Sequence, residues 1–255
     1  MTLTPRQRAC LDAMGIDVWV RRDQETAAEA VAEAVTSEPA APPPVAPVAA
    51  PSPVESPAET PAGDVSTLDW TALEDRVVHC TRCELHATRT RPVFGVGNRE
   101  ARLMFVGEAP GAEEDRQGEP FVGRAGKLLD AMLEAIGRDR GSVYIANILK
   151  CRPPNNRDPS PEEAAACTPY LWRQIEQIRP DLIVALGRIA AQRLLNTSTS
   201  LGRLRGTLHT LEPTGTPLIV TYHPAYLLRS PGEKRKAWID LKFARDFIAR
   251  KEAGA

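Results

Sequence analysis

The sequence predicts an α/β fold: three α/β/α layers around a central, mostly parallel sheet. Three observations predict it. Four short apolar runs recur along the chain, Arg102–Val106, Val143–Leu149, Asp181–Leu186 and Pro217–Tyr222. Segments with the apolar spacing of amphipathic helices separate them. The runs are continuously apolar rather than alternating, as in strands covered by helices on both faces.

Taken in order, residues 1–36 form a short N-terminal segment. Residues 37–63 are dominated by Pro, Ala, Val, Ser and Glu, with nine of the 23 prolines falling between Glu38 and Gly63. Such a stretch cannot bury a core and is expected to be an extended, disordered linker. Residues 64–255 are expected to form the globular domain. Its first strand, Arg102–Val106, runs into a glycine-bearing loop and a helix over about 125–136. The second strand is Val143–Leu149. Ser160 as N-cap, Pro161 at the first helical position and Glu163 three residues on open a helix to about Ile178. The third strand, Asp181–Leu186, leads through Gly187 into a helix. The fourth, Pro217–Tyr222, precedes a terminal helix over Lys234–Lys251. In parallel sheets, ligands bind beyond the carboxyl ends of the strands. Glu108, Asn147 and His223 all fall at such ends.

The net charge of −1 conceals an asymmetry. Residues 1–75 carry 4 Lys/Arg against 13 Asp/Glu, whereas residues 76–255 carry 28 against 20. The second part is basic, as suits a partner such as nucleic acid, although an arginine-rich solvated surface has the same composition. No apolar run approaches the roughly 20 residues of a membrane span, and the N-terminus lacks the apolar core of a signal peptide. A cytoplasmic protein, free of membrane, is expected. Thiols there stay reduced, so the five cysteines need a role other than disulfides.

Cys80-Thr-Arg-Cys83 is a C-x2-C pair, and Cys151 and Cys167 form a wider one. Four thiolates suit a tetrahedral zinc ion or an iron–sulfur cluster, and spacing does not decide between them. Either would tie the segment before the first strand to the loop and helix after the second. Cys10, beyond the linker, has no evident partner.

Several residues could do chemistry. Gly107-Glu-Ala-Pro-Gly111 follows a strand, with Glu113, Glu114 and Asp115 behind it reading as an acidic turn. Phe121, between Gly118 and Gly123, is either a loop anchor or a platform for a flat ligand. Asn147 offers a donor and an acceptor, as the edge of a base requires, or it caps local backbone. His223-Pro224 closes a strand and could equally be structural. Beyond it, Ala225-Tyr-Leu-Leu-Arg229 and Lys234-Arg-Lys236 combine apolar wedges with cations for phosphates.

Together these features resemble the family 4 uracil-DNA glycosylases, the iron–sulfur branch of that superfamily. The likeness runs from about Val77 to Phe247. It includes GEAPG at 107–111, PFVGRAGKLLD at 120–130, YIANILKCRPPNNRDP at 144–159, HPAYLLR at 223–229 and the four cysteines. It implies a [4Fe–4S] cluster on Cys80, Cys83, Cys151 and Cys167, and removal of uracil from DNA to leave an abasic site, the first step of base excision repair. By the same resemblance, Phe121 stacks on the extruded uracil and Asn147 bonds its N3–H and O4. His223 donates to O2, and backbone around Glu108 and Ala109 helps hold the base. Leu227, Leu228 and Arg229 fill the vacated stack. The best-known family of the superfamily has a water-activating aspartate where this chain has Ala109. Glu108 is therefore expected to position water or stabilise the cationic sugar, with Asp115 in reserve. Another branch cross-links to DNA through a histidine in an insertion after the second strand. Residues 151–158 hold neither, so turnover is expected, by a monomer.

Residues 11–22 resemble the peptide by which the psi subunit of bacterial DNA polymerase III joins the clamp loader. That implies a tethered partner-binding segment in a bacterial enzyme working at the nucleoid. Two other classes compete: an iron–sulfur electron carrier, which needs neither Asn147 nor His223, and a metal-stabilised nucleic-acid-binding module without catalysis.

Overall fold

The computed structural model describes residues 64–254. The N-terminal segment 1–36, the linker 37–63 and Cys10 lie outside the described residues.

Two helices open the domain, α1 (Trp70–Val78) and α2 (Leu85–Thr88). The Asp69 carboxylate caps α1 by accepting from the Ala72 amide at 2.8 Å. Strands β1 (Val96–Gly97) and β2 (Leu103–Gly107) follow, then α3 (Ala112–Gln117), α4 (Arg124–Ala135) and β3 (Tyr144–Asn147). The expected Ser160/Glu163 capping box and Pro161 start α5 (Pro161–Ile178). Strand β4 (Leu182–Leu186) leads into α6 (Arg188–Leu194) and α7 (Leu201–Leu204). The chain closes with β5 (His209–Leu211), β6 (Thr216–Thr221), α8 (Pro224–Arg229) and α9 (Lys234–Ala253). The stretch read from sequence as an acidic turn is helix α3. Its acids sit in the first turn, where the helix dipole favours negative charge.

The sheet has the order β1-β3-β2-β4-β6-β5. The four strands β3, β2, β4 and β6 are parallel, and short antiparallel strands cover both edges. Alternate residues point to opposite faces, which sorts the apolar strands into two cores. Met104, Val106, Ile183, Ala185 and Val220 pack with α5 and α6 on one side. Phe105, Ile145, Val184 and Ile219 pack with α4 and α9 on the other. A third core joins Leu73 and Val77 of α1 to Phe94, Leu149, Tyr170 and the cysteines.

Strands β3 and β4 flank β2 on opposite sides. The segments leaving β2 and β4 therefore diverge and open a crevice at the carboxyl edge. No helix among the described residues is long and apolar enough to cross a membrane.

Candidate active site

That crevice is a cavity of about 430 Å³, lined by Glu108, Ala109, Phe121, Asn147 and His223 with the 153–158 loop and α8. Its floor is set by strand register. Gly107 pairs with Asn147 across β2 and β3, and a Cβ at Gly107 would collide with both Asn147 Oδ1 and the Phe121 ring. Only glycine admits this approach. Asn147 is 1% exposed, and its Oδ1 is buried without a hydrogen-bond partner among the described residues. A sealed acceptor of that kind is costly unless a ligand donates to it.

Phe121 is held above this floor at φ +55, a region an aromatic residue occupies only when its surroundings compel it. Three contacts do so. The Glu114 carboxylate accepts from the amides of Val122 and Gly123, both at 3.0 Å, and of Gly111 at 3.1 Å. Arg140 donates to the Phe121 carbonyl at 2.6 Å and to that of Pro120 at 2.9 Å. Gly126 lets α4 run against the same carbonyl, where a Cβ would overlap the oxygen.

His223 caps α8: its Nδ1 accepts from the Ala225 amide at 3.1 Å. Burial, with Arg229 nearby, lowers its pKa to about 4. The neutral ring with Nδ1 accepting carries its proton on Nε2, and so presents a donor without positive charge. The Phe121 and His223 rings lie 5.5 Å apart, tilted by 32°. Glu108 shows the opposite shift. Burial, then the Asp158 charge, raises its carboxyl to about 7 against a smaller opposing effect of Arg188. A carboxylate poised there suits proton transfer at neutral pH.

A family model described as the uracil DNA glycosylase superfamily matches residues 94–242. The chain is 48% identical over 182 residues to the type-4 uracil-DNA glycosylase of Archaeoglobus fulgidus, covering 69% of this chain and 92% of the relative. That of Thermotoga maritima is 47% identical, covering 70% and 94%. That of Saccharolobus solfataricus is 43% identical, covering 70% and 86%. The chain belongs to the type-4 uracil-DNA glycosylases. Residues 64–93, which carry α1, α2, Cys80 and Cys83, lie outside the span of the superfamily model, as does most of α9.

In this type-4 chain Cys80, Cys83, Cys151 and Cys167 border one small cavity with Arg89, Lys150 and Tyr170. Donors are aimed at three of the sulfurs. Arg89 reaches Cys151 Sγ at 3.1 Å, the Lys150 amide reaches Cys167 Sγ at 3.2 Å, and Tyr170 Oη reaches Cys80 Sγ at 3.2 Å. Burial raises the thiols of Cys83 and Cys151 and pushes Cys167 to about 12. Thiolates in so dry a place need a bound cation, and the donors suit thiolate ligands. The residues fit an iron–sulfur group. Among the described residues, no three His, Cys, Asp or Glu side chains stand close enough to hold a single ion.

Lys150, fully buried, borders the cavity of the four cysteines and reaches the Asn147 backbone. Its Nζ donates to the carbonyls of Phe94 at 3.1 Å and Asn147 at 3.0 Å and to Gln174 Oε1 at 2.6 Å. Ala109 lines the cavity and packs against the cysteine-bearing core.

The residues expected to fill vacated DNA divide. Arg229 lines the cavity, and Leu228 is 36% exposed. Leu227 is 1% exposed and belongs to the core against α4, so the structure places it away from the surface. Asp115, the reserve acid, is buried and accepts from the Thr90 amide at 2.9 Å, which makes it a loop tether. Glu114, legible in the sequence only as one of three acids, and Arg140, not singled out there, both hold the Phe121 loop. The one signal was an acid in a glycine-bounded loop with several backbone amides to satisfy.

Proposed function

We propose that the chain is a monofunctional uracil-DNA glycosylase that extrudes uracil from DNA and hydrolyses its N-glycosidic bond, initiating base excision repair. The observation that carries the reading is the partnerless Asn147 Oδ1 on the floor of a cavity walled by Phe121 and His223.

The target nucleotide must leave the stack, because its glycosidic bond is out of reach within a duplex. Uracil stacks on Phe121. Asn147 Oδ1 accepts from uracil N3–H while its amide donates to O4. Cytosine offers the reverse pattern and leaves the buried groups unpaired, which makes discrimination steep. As the C1′–N1 bond lengthens, charge grows on the base, and the neutral His223 donates from Nε2 to O2. A preorganised donor at such a position contributes about 3–4 kcal/mol. The sugar becomes an oxocarbenium ion. Glu108, ionised in an appreciable fraction at neutral pH, orients water toward C1′ and takes its proton; the uracil anion leaves and is protonated. Arg229 and Leu228 hold the emptied stack open.

Cys80, Cys83, Cys151 and Cys167 are proposed to hold a [4Fe–4S] cluster, which cross-links the turn between α1 and α2, the 151–158 segment and α5. Four thiols bordering one cavity suit a cluster that takes one thiolate per iron. Residues 1–36 are proposed as a peptide that recruits a replication protein of the clamp loader, joined by a 37–63 linker to a monomeric, cytoplasmic enzyme. A pull-down with residues 1–36 that recovers no replication protein removes that element.

The test of the activity is incubation with uracil-containing DNA followed by alkali. Strand breaks at uracil positions are expected. DNA binding without breaks would favour a non-catalytic binding module instead.

A further inference from the structure

The turn after His223 carries an aromatic ring that the excision chemistry leaves unused. Tyr226 lines the cavity next to Arg229 and is 37% exposed. Its ring stacks on Tyr222, with centroids 5.1 Å apart and planes inclined by 22°. Tyr222 lies in turn beneath the Arg205 guanidinium, 4.3 Å from the ring centroid. Arg205 is itself anchored: it pairs with buried Asp240 at 2.8 Å and donates to the Lys236 carbonyl at 2.7 Å. Asp240 also accepts from Thr221 at 2.7 Å, at the end of β6. The result is a braced column, Arg205–Tyr222–Tyr226, rooted in the sheet and ending in an open ring at the cavity.

A ring held this way loses little freedom when something flat is laid on it. The cavity it borders takes a base swung out of a strand. That extrusion uncovers the faces of the bases on either side, each of which loses a stacking neighbour. Arg229 lines the same cavity, and Lys234-Arg-Lys236 follows at the start of α9; such cations suit the phosphates of the same strand. Leu227, in the same turn, is committed to the core, and Leu228 is exposed but does not line the cavity, whereas Tyr226 does.

We propose that Tyr226 is a stacking platform for the nucleobase next to the extruded uracil in the same strand. The inference rests on the uracil-excision reading. Every base has a π-face, so Tyr226 accepts any neighbour, with purines held best.

The experiment compares the wild type with Tyr226→Ala and Tyr226→Phe on single-stranded oligonucleotides carrying one uracil. In matched oligonucleotides an abasic spacer replaces the nucleotide on the 5′ or the 3′ side. Measured are kcat/KM and the Kd for the same strands with a 2′-fluorinated, hydrolysis-resistant uridine. Stacking of one base is worth about 5- to 150-fold. Tyr226→Ala is expected to lower kcat/KM on the intact strand by about tenfold, chiefly through KM, while Tyr226→Phe stays near wild type. One of the two spacers costs the wild type a similar factor and costs Tyr226→Ala nothing further, the non-additivity of a direct contact. A wild type indifferent to both spacers overturns the proposal, as does equal loss in Tyr226→Ala on intact and spacer strands. Should Tyr226→Ala misfold, the wild-type spacer response and Tyr226→Phe still decide. If the wild type releases no uracil from any strand, the excision reading fails, and the Kd comparison still decides the stacking.

Discussion

Replacing Glu108 by glutamine is expected to stabilise the protein, and only above a definable pH. In the folded chain the Glu108 carboxyl is raised from 4.5 to about 7 by burial first and Asp158 second. A raised carboxyl binds its proton more tightly folded than unfolded. Below about pH 4.5 both states are protonated and the group is neutral to stability. Between 4.5 and 7 the unfolded chain ionises first, so stability falls as pH rises. Above 7 the full penalty remains. At about 1.4 kcal/mol per pKa unit, the displacement would be worth about 3 kcal/mol in a sealed site. Glu108 lines a cavity open to water, which screens it to about 1–2 kcal/mol. Glu108→Gln carries no charge and escapes the penalty. Urea unfolding should therefore show the variant more stable by about 1–2 kcal/mol at pH 8 and equal to wild type at pH 4.5, with excision lowered at neutral pH. A stability difference that is constant with pH, or that favours wild type at pH 8, would refute the assigned environment of Glu108.

Three further outcomes follow from the same geometry. Asn147→Ala should reduce kcat/KM for uracil excision by about 100-fold or more, with thermal unfolding little changed, because it removes both bonds to the base edge and an acceptor that lacks a partner. Gly126→Ala should destabilise the fold by about 3 kcal/mol in denaturant titration and weaken substrate binding, since its Cβ must displace the Phe121 carbonyl from α4. Cys167→Ser should lower bound iron and brown absorbance in the purified protein, with a lower unfolding temperature, as the proposed ligand set joins α5 to the segment after β3.

The central sheet was legible because its four parallel strands are short continuous apolar runs. α5 was legible to the residue because Ser160, Pro161 and Glu163 are a local signal. Strands Val96–Gly97 and His209–Leu211 were not, since two or three residues show no period and exist only by pairing with a neighbour. Within the site, Glu108, Asn147 and His223 announced themselves as polar residues at strand ends and Phe121 as an aromatic in a glycine-flanked loop, and the cavity brings all four together. Glu114 did not. It sits among three acids, and its role depends on Val122 and Gly123 folding back onto it from eight and nine residues away. Leu227 and Leu228 are adjacent and chemically identical. Which of them enters the core depends on how α8 packs against α4, a tertiary fact with no local signature. Tyr226 was hidden likewise, because its supporting column draws on Arg205 and Asp240, distant in sequence.

The most direct measurement is the base released. Purified, iron-loaded protein is incubated with excess uracil-containing DNA, and both the free base and the abasic sites are quantified. One free uracil per abasic site is expected, over many turnovers per enzyme and with no release of cytosine from a matched strand. Absence of free uracil, or a reaction that stops at one stoichiometric protein–DNA adduct, would contradict hydrolysis at the Asn147–His223–Glu108 site.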